Sequence, residues 1–162
     1  MEVLKYPNPH LFKVCKPVLL FTPELSVMLE SMWETMIAER GIGLASNQVG
    51  LEYRMFTMKG PEDEKIFLVN PIILDSSKHP CPLAEGCLSA PDQMVKLYRP
   101  SWVKVMYFDE KGCAHTRTFL DIFSVCVQHE IDHLDGISYL QSKAIPKKLR
   151  ISLAKKWGLS VK

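Results

Sequence analysis

The sequence predicts an α+β fold in which antiparallel β-sheets pack around a central helix, with one helix near the N-terminus and one near the C-terminus. One helical pattern opens the chain, short β-prone runs fill its middle, and two further helical patterns close it. Segregation of helices and strands along a chain is typical of α+β proteins with antiparallel sheets. The length of 162 residues predicts a single domain, over residues 1–162, that can bury a substantial core.

The first helix is predicted over residues 23–39. Apolar side chains recur there every three or four residues and therefore share one face: Leu25, Leu29, Met32 and Met36. Thr22 can cap this helix, and Pro23 suits its first turn, where a missing N–H loses no helical hydrogen bond. Two glycines follow at positions 41 and 43, where the helix should end.

Short β-prone runs predict strands at 53–58, 66–70 and 102–108. In the last run, alternation places three side chains on one side: Val103, Val105 and Tyr107. A turn-forming sequence at 109–112 separates this run from a returning one at 113–119, which predicts a hairpin. Prolines interrupt the segment before it and predict an extended loop, because proline lacks the N–H that a strand ladder needs. These prolines are Pro80, Pro82, Pro91 and Pro100.

Two further helices are predicted near the C-terminus. The first spans 121–135 and should end at Gly136. Its opening half is apolar on nearly all sides, which is typical of a helix buried against sheets. The second runs from about Pro146 to Trp157, where apolar residues recur four apart.

Composition and charge give no argument for a nucleic-acid or membrane partner. The formal net charge is only +2, and no apolar run approaches the roughly 20 residues of a membrane helix. The opening residues lack the basic start and apolar core of a signal peptide, so a cytoplasmic protein is expected, with a monomer as the default. The five cysteines are an odd number, which favours reduced thiols.

One sequence in the central helix predicts a metal site. His129 and His133 stand four apart, so both side chains can face one ion. Glu130 is turned by about 100° from His129, where it can hold the proton of a bound water. The alternative is a helix with two hydrogen-bonded histidines. His129 shares the apolar face of Ile122, Val125 and Cys126, and an unpartnered imidazole is costly there.

The third ligand must come from upstream if the site exists. No glutamate follows His133, and Tyr139 stands where the extended form of the motif carries a third histidine. A thiolate beside two imidazoles would suit zinc or ferrous iron. The upstream candidates are His79, Cys81, Glu85 and Cys87.

Three segments together resemble the peptide deformylase family. They are GIGLASNQ at 41–48, EGCLS at 85–89 and QHEIDHLDG at 128–136, in the order in which the family carries them. The resemblance extends over essentially the whole chain. It implies a metal-dependent hydrolase that removes the formyl group from the N-terminal formyl-methionine of newly made polypeptides and releases formate.

The resemblance also implies a ligand set and a cofactor. Cys87 would join His129 and His133 as the third ligand, which leaves a fourth position open for water. The cofactor would be one divalent metal ion, with Fe(II) favoured and Zn, Ni or Co possible. Glu130 would accept the proton of the water and pass it to the leaving amine.

The remaining expected site residues concern the formyl oxygen and the substrate. The backbone N–H of Leu88 and the side-chain amide of Gln48 would donate to the developing oxyanion. The 41–48 segment would pair with the peptide in strand fashion. Ile42, Val125 and Cys126 are candidates for the methionine pocket, although core packing explains each equally well. The remaining candidates around the groove are Gly43, which permits close approach of the peptide, and Arg99, which with Glu85 would shape the groove.

Two departures and two alternatives accompany this interpretation. Ser46 replaces the second alanine usual in the family, and Ala90 replaces a larger aliphatic residue. Asp132 and Asp135 can orient the histidines or simply face solvent. A metallopeptidase that cleaves internal amides, or a binding protein without turnover, would carry the same helix. The C-terminal segment from Pro146 onward is basic and has no acidic residue, which suggests docking to ribosomal RNA or a solvated face.

Overall fold

The computed structural model describes residues 1–142 and 145–160. Its helices agree closely with the predicted ones, namely α1 at Pro23–Ala38, α2 at Asp121–Leu134 and α3 at Lys147–Lys156. Thr22 is the N-cap residue of α1, but its side chain makes no capping hydrogen bond. Gly136 adopts a left-handed φ of +69° just after α2, and this conformation ends the helix. Lys162, the last basic residue of the C-terminal segment, lies outside the described residues.

Seven strands in the described part of the chain carry the rest of the fold. In chain order they are β1 (Gly43–Ala45), β2 (Met55–Lys59), β3 (Lys65–Ser76), β4 (Pro80–Cys87), β5 (Ala90–Pro100), β6 (Trp102–Phe108) and β7 (Ala114–Leu120). Five of them form an antiparallel sheet in the order β1-β2-β3-β6-β7. The hairpin predicted from the runs at 102–108 and 113–119 is confirmed, with Val103 opposite Phe119 and Tyr107 opposite His115.

The predicted extended loop across the four prolines is wrong, because this segment is the hairpin of β4 and β5. Pro80 pairs with Pro100 and Pro82 with Tyr98 in an antiparallel two-stranded sheet. Each strand of a two-stranded sheet has one edge without a partner strand. A proline whose missing N–H would face that edge removes no ladder bond, so proline is compatible with the strand. A bulge between Glu85 and Cys87 ends the regular register.

The five-stranded sheet lies between two helices. The apolar face of α1, which includes Leu29 and Met36, packs with Phe67 and Val69 from β3. Leu68, which lies between these two residues in β3, packs instead with the apolar residues of α2 on the other face of the sheet. This alternation follows from the two-residue period of a strand. Helix α2 is therefore buried between the large sheet and the β4–β5 hairpin, as the apolar opening half of its sequence predicts.

The C-terminal elements close the other side of the hairpin. Leu153 and Ala154 of α3 are buried with Val95 and Leu97 of β5. The N-terminal residue Tyr6 joins the same cluster. Within the described parts of the chain, none of the helices combines the length and the apolar character needed to span a lipid bilayer.

Candidate metal centre

Three ligand-type side chains converge where α2 meets the end of β4. The donor atoms of Cys87, His129 and His133 all lie within 4.8 Å of one another. Cys87 Sγ lies 3.1 Å from His133 Nε2. The two imidazole rings stand one helical turn apart, with centroids 4.9 Å from each other. The two-residue turn after Cys87 reverses the chain, so β4 delivers the thiol to the helix at its end.

The environment of these side chains fits a bound metal ion. Both histidines are buried, and His129 Nε2 has no hydrogen-bond partner among the described residues. Burial holds the pKa of His133 well below its usual value, which favours the neutral imidazole that coordinates metal. At His129, by contrast, the neighbouring Cys87 and Glu85 outweigh burial and raise the pKa. Two nitrogens and one sulfur form a donor set suited to zinc or ferrous iron. An unpartnered buried nitrogen aimed at two other donors is explained by such an ion.

Glu85 holds the outer nitrogen of His129. Its Oε2 lies 3.0 Å from His129 Nδ1, and Arg99 bonds both of its oxygens, the Nη2 contact measuring 2.9 Å. Burial opposes ionisation of Glu85, but the hydrogen bonds from His129 and Arg99 outweigh it and keep the pKa of this carboxyl below its usual value. A carboxylate on the second nitrogen fixes the ring orientation and makes the imidazole a better ligand.

Among the described residues, the carboxylates of the two motif aspartates pair with arginines rather than with the histidine rings. Asp132 accepts from Arg99 Nη1 at 2.8 Å, so it reaches His129 only through Arg99 and Glu85. Asp135 pairs with Arg54 at 2.6 Å, on the far side of the helix end. For His129, the orienting role that the sequence suggests for these aspartates is filled by Glu85. Its distance of 44 residues from His129 in the chain hid the contact.

Tyr139 occupies the position of a third histidine in the extended motif, but its hydroxyl bonds to β5. Its ring packs edge-on against His129, with centroids 5.2 Å apart. Its hydroxyl donates to the carbonyl of Gln93 at 2.8 Å, which ties the segment after α2 to β5. Of the upstream candidates for a third ligand, only Cys87 belongs to the convergent group found among the described residues.

Glu130 lies beside the three donors in a dry environment. It is 4% exposed, and its Oε2 has no hydrogen-bond partner among the described residues. Burial raises the pKa of Glu130 to about 7, which is suited to proton transfer near neutral pH. Gly43 permits this arrangement, because a Cβ there would lie 2.6 Å from Cys126 Sγ and closer still to the Glu130 carboxylate.

A cleft of about 530 Å³ opens above these groups, within the range of small-ligand sites. Its walls come from the segment after α1 on one side, from the β4–β5 hairpin on the other, and from α2 beneath. Four of the five predicted substrate residues line it: Ile42, Gly43, Val125 and Cys126. Arg99 does not line it and lies behind His129 instead.

Gln48 and Leu88 both line the cleft beside Cys87. The side-chain oxygen Oε1 of Gln48 accepts from the backbone N–H of Ala45 at 2.8 Å. This contact turns the amide nitrogen toward Ser89 Oγ at 3.1 Å and Cys87 Sγ at 3.5 Å. Leu88 occupies the turn directly after Cys87. An amide group and a backbone turn are thus held at the same end of the cleft as the three donors.

The cleft also contains residues that the sequence did not reveal as part of it. Met94 of β5 and Ile122 of α2 line its lips and are 61% and 41% exposed, respectively. The sequence placed Ile122 on the helix face of His129, seven residues earlier, but did not assign it to the substrate cleft. Met94 and the rim residue Lys5 had no such local signal, since only the fold brings them to the cleft.

The two departures from the family sequence are accommodated without an unsatisfied polar atom. Ser46 is fully buried, and its hydroxyl donates to the carbonyl of Tyr53 and lies 3.5 Å from Cys15 Sγ. Ala90 is also buried and packs in the cluster beneath the hairpin. Neither residue lines the cleft.

Comparison with known proteins identifies the family. The model of the polypeptide deformylase family matches residues 1–148. A peptide deformylase from Phenylobacterium zucineum is 38% identical over 143 residues, which are 86% of this chain and 85% of the relative. One from Afipia carboxidovorans is 36% identical over 155 residues, 93% of this chain and 90% of the relative.

The fold agrees with that of solved family members. The crystal structure of a peptide deformylase from Legionella pneumophila matches with a TM-score of 0.88 and 31% identity, covering 97% of this chain and 92% of that one. Sequence, fold and the convergent metal-binding group therefore agree. The chain belongs to the peptide deformylase family, the metal-dependent hydrolases that remove the N-formyl group from newly made polypeptides.

Proposed function

We propose that deformylation takes place in the cleft, with Cys87, His129 and His133 as metal ligands and Glu130 as the proton-transfer group. The observation that carries this proposal is the buried Glu130 carboxylate, which has an oxygen without a partner in the described structure and lies beside three convergent donors. A buried acid is costly unless it has a task or a partner. Its position at the base of an open cleft gives a substrate access to it.

The chain's own groups divide the work of the reaction. A divalent ion held by the three ligands would polarise the formyl group and make a water molecule more acidic. Glu130 would take the proton of that water and give it to the departing amine, because its raised pKa suits both steps. The Gln48 amide and the N–H of Leu88 would donate to the formyl oxygen as negative charge develops on it. Glu85 would keep His129 oriented throughout.

The substrate would lie along β1. This strand is at one end of the five-stranded order, so its outer edge is available to a peptide backbone. Ile42, Val125 and Cys126 would surround the methionine side chain, and Gly43 would let the peptide approach Glu130. Arg99 would contribute indirectly, through its contacts with Glu85 and Asp132.

Formate release by the wild type and by Glu130→Gln tests the proposal. The variant keeps the shape of the side chain and removes the base, so the rate on a formyl-methionyl peptide should fall by about 10²- to 10⁴-fold. The metal content should stay at one ion per chain. The metallopeptidase alternative predicts cleavage of internal amides in unformylated peptides, and such cleavage would overturn the assignment.

We further propose that the cellular metal is Fe(II). The ligand set of two imidazoles and one thiolate also accepts zinc, nickel or cobalt, and the family resemblance favours iron. Protein purified without oxygen should contain iron and lose activity in air. Full activity of a zinc-only preparation would contradict this proposal.

We also propose that the protein is a single-domain, monomeric, cytoplasmic enzyme.

We propose further that it docks to the ribosome through α3. Helix α3 exposes Lys147, Lys148 and Lys155, whereas Leu153 and Ala154 are buried, so reversing the charges leaves the packed face intact. A triple variant with glutamate at these three lysines should lose salt-sensitive co-sedimentation with ribosomes. Its activity on a short peptide should not change. Unaltered co-sedimentation would reject the docking surface.

A further inference from the structure

The first residues of the chain contact the end of the cleft that holds the proposed oxyanion donors. Each of three consecutive residues donates a hydrogen bond to one backbone carbonyl there. The backbone N–H of Leu4 donates to the backbone carbonyl of Gln48 at 2.7 Å. The backbone N–H of Tyr6 donates to the backbone carbonyl of Ser89 at 2.9 Å. Between them, Lys5 Nζ donates to the Leu88 carbonyl at 2.8 Å.

These contacts join two separate parts of the chain. Gln48 follows β1, whereas Leu88 and Ser89 form the turn between β4 and β5. The Gln48 amide reaches Ser89 Oγ at 3.1 Å, so the two parts also touch each other directly. The N-terminal segment therefore contacts the backbone of both parts of the chain that carry the proposed oxyanion donors.

Lys5 differs from its two neighbours because its contact is made by a charged side chain at the cleft. It lines the cleft, and its side chain is 42% exposed. Glu39 is its only ion-pair partner among the described residues, at 3.8 Å and with 47% of the side chain exposed. An exposed pair of this length contributes little. The short contact with the Leu88 carbonyl is thus the main interaction of the ammonium group.

We propose that Lys5 is a positioning residue for deformylation. Its ammonium group holds the Leu88–Ser89 peptide unit. Through the backbone of Leu88 it restrains the adjoining Cys87–Leu88 unit, whose N–H would donate to the formyl oxygen. The proposal rests on the proposed role of Leu88. A donor that is already oriented stabilises developing charge without reorganisation during the reaction. The benefit appears in the transition state, and therefore in kcat rather than in KM.

Lys5→Met tests this role, because methionine keeps most of the side-chain length and removes the charge and the donor. With a hydrogen bond contributing about 1 kcal/mol, kcat for a formyl-methionyl peptide should fall by about threefold to tenfold. KM should change by less than about twofold, since ground-state binding of the peptide is not affected. Lys5→Arg should restore most of kcat, because a guanidinium can still donate to the Leu88 carbonyl.

Lys16→Met is the matched control. Its side chain is 80% exposed, forms a long ion pair of 3.8 Å with Glu52, and does not line the cleft. Metal content and thermal unfolding are measured for all four proteins, so that a loss of metal or of stability is recognised. Formate release by the wild type establishes the reaction independently of Lys5.

Several results would overturn the proposal. They are a kcat for Lys5→Met equal to that of the wild type, a rise in KM alone, and a rate loss that follows the metal content. Failure of Lys5→Arg to recover any activity would also count against it. Absence of formate release by the wild type, by contrast, would count against the proposed function itself.

Discussion

The two sides of helix α2 are built in opposite ways around His129. On the side of the hairpin, Arg99 forms ion pairs with both Glu85 and Asp132. On the side of the cleft, Glu130 keeps an oxygen that has no partner in the described structure. Paired charges hold a ring in place, whereas an unpaired buried carboxylate remains free to exchange a proton. Under the proposed function, we therefore expect one side to hold the proposed ligand His129 in place and the other to carry out proton transfer.

The largest effect on catalysis is expected on the cleft side, from a substitution at Gly43. A Cβ at this position would collide with Cys126 and with the Glu130 carboxylate. Gly43→Ala should therefore displace Glu130 and lower kcat by about 10²-fold, as expected for a misplaced catalytic group. Formate release measures the loss, and metal analysis should give the wild-type content. A variant that loses its metal as well would show that the two sides are not independent.

The opposite side is tested by Glu85→Gln. The change weakens the hydrogen bond to His129 Nδ1 and leaves the Arg99 guanidinium without its carboxylate. Metal affinity should fall by about 10- to 100-fold, as measured by competition with a chelator. At saturating metal, kcat should recover to near the wild-type value. Metal affinity equal to that of the wild type would remove Glu85 from this role.

A smaller effect separates the two aspartates of the motif. Asp132 contacts Arg99, whereas Asp135 pairs with Arg54 at the end of the helix. Asp132→Asn should reduce metal affinity by less than about tenfold, because Glu85 still holds His129. Asp135→Asn is the matched control and should leave metal affinity unchanged. Equal losses in both variants would contradict the pathway through Arg99.

The smallest kinetic effect is expected beneath the cleft, at Ser46. Its hydroxyl donates to the carbonyl of Tyr53, a residue that belongs neither to α2 nor to the cleft. Ser46→Ala should reduce the free energy of unfolding by about 1 kcal/mol, the net contribution of one hydrogen bond. Denaturant unfolding measures this change, while kcat and KM should stay as in the wild type. A kinetic change would mean that Ser46 influences the neighbouring Gln48.

Local sequence patterns were sufficient for the helices and for one part of the site. The helix periodicities predicted α1, α2 and α3 to within about two residues at each end, since both ends and faces are encoded by nearby residues. The spacing of His129 and His133 likewise placed both rings on one face of α2. The motif resemblance then identified the family, which the comparisons confirm.

Contacts between distant segments were decided only by the tertiary structure. The prolines of the 80–100 segment suggested a loop, because a local pattern does not reveal which strand edge faces solvent. The partner of His129 was sought among nearby aspartates, although Glu85 lies 44 residues away. Lys5 is 83 residues from Leu88 and had no recognisable pattern. The sequence by itself thus determined the family, the helices and the metal-binding motif. Packing of distant elements determined which charges orient the site, because such contacts depend on three-dimensional proximity rather than on local periodicity.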